Sequence, residues 1–104
     1  MGALMNNLSI FYDESSDILY ASFGKPKKAV CFELDGGELI RLDPFTNKVV
    51  GITILDFTDK FKEAKDNIKK QAKFVIPLIL DKYEHQKKNS GIHYRILPGY
   101  ERRN

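Results

Sequence analysis

The chain has 104 residues, of which 42% are apolar and 30% charged, with a net charge of +3 and one cysteine. These values exclude a disordered polypeptide and an internal disulfide, and they set the expectation of one domain with one modest core. The longest apolar run, residues 74–80, is too short to cross a bilayer, and no basic cluster precedes an apolar N-terminal segment. With the lone Cys31 compatible with a reducing compartment, the reading is cytoplasmic with no membrane partner.

Residues 8–23 open the fold. Leu8, Ile10 and Tyr12 alternate with Ser9, Phe11 and Asp13, and Ile18, Tyr20 and Ser22 alternate with Leu19, Ala21 and Phe23. Period-two alternation on either side of an Asp/Ser-rich tip predicts a β-hairpin. Gly24 and Pro26 then punctuate the chain. Residues 29–35 read as a third strand with Val30, Phe32 and Leu34 on one face and Cys31 beside Glu33 on the other, partly exposed. Gly36-Gly37 predicts a tight two-residue turn with positive φ at both glycines. Residues 38–43 form a fourth strand, and Asp43-Pro44-Phe45-Thr46-Asn47 a second turn in which Asn47 tolerates the left-handed region. Residues 49–57 are apolar on both faces, which places them inside the sheet, with Gly51 allowing a close approach or a bulge.

A helix is expected over residues 58–74. Asp56 or Thr58 is positioned to cap it, and Phe61, Ala64, Ile68 and Ala72 form its apolar stripe with lysines outward. Pro77 argues for its end near Lys73 or Phe74. The tail, residues 75–97, has two readings. One is a hairpin pairing residues 78–86 with 92–97; the other is a second helix starting at Pro77. The hairpin is the preferred one. The fold class is therefore α+β: an antiparallel β-meander of about five strands, followed by one helix packed on the sheet, with a hairpin tail.

The spacing Tyr-Asp-x3-Asp-x-Leu-Tyr, present as Tyr12, Asp13, Asp17, Leu19 and Tyr20, resembles the start of a small prokaryotic family of unknown function. The resemblance continues through Leu42, Asp43 and residues 49–56, and so spans roughly the first half of the chain. It implies a compact meander sheet followed by a helix, and it implies no activity. The longer tail and Cys31 depart from the family pattern.

No motif for chemistry stands out. One cysteine and two histidines lack zinc-ligand spacing. Asp13 and Asp17 at the hairpin tip could share a hard cation, but acids have their own backbone reason to sit in turns. Cys31 would need His85 or His93 as a base, and nothing places either beside it. Gly36-Gly37 lacks the remainder of a phosphate loop. An enzyme and a bound cofactor are thus not expected.

Two binding readings remain. Residues 1–57 carry five Lys and Arg against eight Asp and Glu, whereas residues 58–104 carry twelve against six. The basic half offers Lys69, Lys70, Lys73, Lys87, Lys88 and Arg95 to nucleic acid. The apolar run offers Phe74, Val75, Ile76, Leu78 and Ile79 to another copy or to a small partner protein. By analogy alone, that partner could be a small toxin. Protein interaction is the leading expectation, and weak nucleic-acid binding is the alternative.

Overall fold

Two hairpin-linked runs of strands build the sheet of this computed structural model, which describes residues 7–25 and 28–89. β1 (Leu8–Asp13) and β2 (Ile18–Phe23) form the first run, in register from Leu8 opposite Phe23 to Asp13 opposite Ile18. β3 (Val30–Glu33), β4 (Leu39–Leu42) and β5 (Val49–Ile54) form the second. The order across the antiparallel sheet is β1-β2-β5-β4-β3. The last strand therefore joins the opening hairpin and occupies the centre, as its two-sided apolar sequence requires.

Strand alternation sorts the side chains into two faces. One cross-strand row runs Ile10, Ala21, Ile52, Ile40, Phe32, and Leu8, Tyr12, Leu19, Phe23, Leu42, Ile54 and Leu34 share its side. These are the core. Burying each large aliphatic or aromatic side chain contributes about 1.5–3 kcal/mol. The other face carries Ser9, Ser22, Gly51, Arg41 and Cys31 in one row, and Phe11, Tyr20, Thr53, Leu39 and Glu33 in the next. Cys31 is buried rather than partly exposed.

The turns follow their residues. Asp43 Oδ1 accepts the N–H groups of Phe45 (2.8 Å) and Thr46 (3.1 Å), and Asn47 takes φ 61°. The glycine turn differs from expectation. Only Gly37 has positive φ, at 91°, and the loop closes through Leu34 N–H to the Glu38 carbonyl (2.8 Å), so it is one residue longer than the two-residue form.

The helical part departs most from expectation. In place of one helix over 58–74 there are α1 (Phe57–Lys60), a 3-10 turn (Lys62–Asp66) and α2 (Ile68–Asn89). The chain breaks at Phe61 and at Asn67, whose Oδ1 accepts Lys70 N–H (3.0 Å) and caps α2. The stripe of Phe61, Ala64, Ile68 and Ala72 does face the sheet. It then continues through Val75, Ile76, Ile79, Leu80 and Tyr83, all buried. Residues 78–86 are thus helical and not a strand. The other arm of the expected hairpin, residues 92–97, lies outside the described residues. Pro77 inside a helix costs about 3 kcal/mol. Five buried side chains beyond Ala72 outweigh that cost, so the helix runs through the proline.

Candidate functional site

The most organised polar cluster joins the hairpin tip to the start of α1. Asp17 ends the tip in the left-handed region (φ 57°), which turns its carboxylate toward the N-terminus of α1. Its Oδ1 accepts the N–H of Thr58 (2.9 Å), the Thr58 hydroxyl (3.0 Å) and the Tyr12 hydroxyl (2.7 Å); Oδ2 accepts Asp59 N–H (3.4 Å). The Asp17 carbonyl accepts Phe57 N–H (2.9 Å). Asp56, at φ 53°, makes no side-chain capping bond. The expected cap at Asp56 or Thr58 is therefore replaced by a carboxylate 41 residues upstream.

The electrostatics follow the bonds. Desolvation pushes the Asp17 carboxyl up, but the donors from Thr58, Tyr12 and Asp59 outweigh it and hold it below the usual carboxylate range. The same bond, with Asp17 as acceptor, raises the Tyr12 phenol. The Asp13 carboxyl is lowered, chiefly by the Ser15 and Ser16 hydroxyls, and its Oδ1 accepts Ser15 N–H (3.1 Å). The two acids thus face different partners. Among the described residues no cluster of three or more metal-ligating side chains occurs.

Beside this corner lies an open cleft of about 460 Å³ lined by Tyr12, Glu14, Asp17, Thr58, Lys65 and Ile68. A carboxylate offers about four acceptor positions. Asp17 meets four protein donors, three at Oδ1 and one at Oδ2, so it works as a fastener between sheet and helix.

A second set of contacts anchors the far half of α2 to the β3–β4 turn. Lys82 Nζ meets Glu38 Oε1 at 3.0 Å, and the Asp35 N–H donates to Gln86 Oε1 at 3.0 Å. From α1, Lys60 Nζ reaches the same turn and donates to the Gly36 carbonyl at 2.8 Å. None of these partners carries a sequence signal, because each pair is separated by more than twenty residues.

The residues expected to bind a partner divide sharply. Val75, Ile76 and Ile79 are buried in the core, which removes them from any docking surface, while Phe74 is 66% and Leu78 58% exposed. Lys69, Lys70 and Lys73 are exposed near the start of α2, and Lys69 and Lys73 flank a cleft against Leu8, Ser9 and Ile10. Lys87 stands about 20 Å further along the helix axis. It pairs with Glu84 (3.3 Å) and lies over the Tyr83 ring (5.0 Å). The Lys88 side chain and Arg95 lie outside the described residues. Cys31 and His85 cannot meet, since Cys31 is on the sheet face away from α2 and His85 is exposed on α2. Burial also raises the Cys31 thiol, with Arg41 opposing, which disfavours the nucleophilic thiolate.

These features define a small α+β domain whose hairpin tip, carrying Tyr12 and Asp17, is fastened to the helical layer that covers its sheet. Residues 9–57 match the family model described as a protein of unknown function, DUF2283. The match runs from β1 to the first residue of α1 and contains Tyr12, Asp13, Asp17 and Asp56. It stops short of α2, which carries the exposed Phe74 and Leu78. No curated protein and no solved structure matches the chain. No helix among the described residues is long and apolar enough to cross a membrane.

Proposed function

We propose that this protein is a non-catalytic interaction module of the cytoplasm that presents the outer face of α2 to another protein chain. The observation that carries the reading is the pair Phe74 and Leu78, one turn apart and more than half exposed, on a helix whose opposite side is packed into the core. Isolated exposed apolar residues are ordinary, but two large neighbours on a rigid helix form an anchor for a partner's apolar side chains. A photo-crosslinking residue at position 78 should trap a protein chain in cells, while the same residue at the exposed Lys48 position should not. Equal trapping at the two positions sinks the reading.

A second reading rests on Lys69, Lys70 and Lys73, which are exposed and make no ion pair among the described residues. Three phosphate contacts would give a duplex-binding salt slope of about −3 on a log–log plot. The triple change to glutamate should flatten that slope in a filter-binding titration. Absence of retention at low salt in the parent protein removes nucleic acid from consideration.

A further inference from the structure

We infer that the partner seated on α2 is a second copy of this chain, with the two α2 helices antiparallel across a twofold axis near residue 76; this rests on the docking reading above. Over residues 69–85, at 100° per residue, the positions farthest from the core stripe are Lys70, Phe74, Pro77, Leu78, Asp81 and His85. All of them are exposed except Pro77, which is half-buried. The face is apolar at its centre, with the basic Lys70 one turn before Phe74 and the acidic Asp81 one turn after Leu78, while Lys69 and Lys73 lie to the side, beside β1.

That arrangement is complementary to its own reversal. A twofold axis brings Phe74 against the partner's Leu78 and against the partner's Pro77. It also brings Lys70 beside the partner's Asp81, and the symmetry makes each contact twice. A parallel pairing would instead set Lys70 against the partner's Lys70 and Asp81 against the partner's Asp81, placing like charges in contact. Antiparallel helices also align their dipoles favourably. The apolar centre is small, so the association belongs with weak, concentration-dependent interfaces rather than obligate ones.

Sedimentation equilibrium of the full chain from about 1 to about 500 μM tests the pairing. The expected result is a monomer–dimer equilibrium. Phe74→Asp should weaken it by more than about tenfold, since it places a carboxylate at the centre. Lys70→Asp and Asp81→Lys should each weaken it, and the double swap should recover the parent constant to within about threefold. All three positions are on the solvent face, and an unchanged circular dichroism spectrum verifies that each variant folds. A parent that stays monomeric throughout overturns the inference. So does a dimer indifferent to Phe74→Asp, or a double swap no better than the single changes. The two readings fail separately. A monomeric protein whose position-78 crosslink traps a different chain overturns self-pairing and keeps the docking surface, whereas loss of both overturns both.

Discussion

Replacing Gly51 with alanine should destabilise the protein by about 3 kcal/mol, at the upper end of what overpacking costs. Gly51 sits in the central strand β5, opposite Ser22 on β2 and Arg41 on β4. A Cβ there would lie 2.7 Å from the Ala21 carbonyl oxygen and 3.4 Å from Arg41 Nη1. The arginine end can move; the carbonyl belongs to the backbone of a neighbouring strand held in its ladder on both sides. Relief requires β2 and β5 to separate where the core row of Ala21 and Ile52 crosses. The opposing gain is small, because restricting the unfolded chain by a Gly→Ala change returns about 0.4–1 kcal/mol. The clash decides the sign. Gly24→Ala is the internal contrast: nothing lies within 4 Å of its Cβ, and only its φ of 82° resists a side chain. That change should cost about 1 kcal/mol. Urea midpoints for the two variants measure both effects. A Gly51→Ala midpoint within about 0.5 kcal/mol of the parent would show that the strands are not held at this distance.

Gly51 also shows what the sequence made legible. A glycine in an otherwise apolar β-branched run signals close approach or a bulge, and both occur, since β4 and β5 slip register between Arg41 and Leu42. The central place of β5, the opening hairpin and the left-handed Asn47 were readable for the same reason. Each depends on residues within one turn or one alternation of one another. The helical half was legible only in its stripe. The breaks at Phe61 and Asn67 are set by how a short connection must descend from β5 onto the sheet. The passage through Pro77 is set by a sum over the whole molecule, in which Val75, Ile76, Ile79, Leu80 and Tyr83 outweigh one lost hydrogen bond. Lys82 and Gln86 reinforce it by reaching the β3–β4 turn. Local rules weigh the proline but not these distant partners.

The same limit applies to the surface. Residues 74–80 read as a continuous apolar run that one short helix could not absorb. In a helix of 22 residues the run divides by its 3.6-residue period, and most of it turns inward. What remains outside is Phe74, Leu78 and part of Pro77. The excess that suggested a partner survives, but on two large residues instead of five. The basic cluster contracts likewise. Among the described residues, Lys87 leaves it for Glu84 and the Tyr83 ring, and Lys69, Lys70 and Lys73 remain.

Asp17→Ala should lower stability by about 2 kcal/mol, the loss of a strong helix cap joined to the strain of a left-handed alanine. The carboxylate is the acceptor for the N–H groups of Thr58 and Asp59 in α1 and for two hydroxyls, and among the described residues no other side chain caps that end. Asp17→Asn should cost about 1 kcal/mol, since asparagine keeps an acceptor and tolerates the left-handed region while losing the charge. For a chain of this size the alanine change corresponds to a drop of about 10 °C in the thermal midpoint. The pH dependence follows from the sign of the shift. The folded Asp17 carboxyl titrates below its unfolded value of about 3.9, so its contribution is complete at neutral pH. It is lost as the pH falls through 3.9 toward the folded value, and the lowered Asp13 adds to the loss over the same window. The midpoint gap between the parent and Asp17→Asn should therefore be widest at pH 7 and should shrink below pH 4. Tyr12 has the opposite sense: its raised phenol keeps the bond to Asp17 intact below about pH 10 and loses it as the pH rises further. Thermal melts of the parent and the two Asp17 variants at pH 7 and pH 3 decide the matter. A gap that stays constant between those values, or an alanine variant as stable as the parent, would mean that the hairpin tip does not hold the helix.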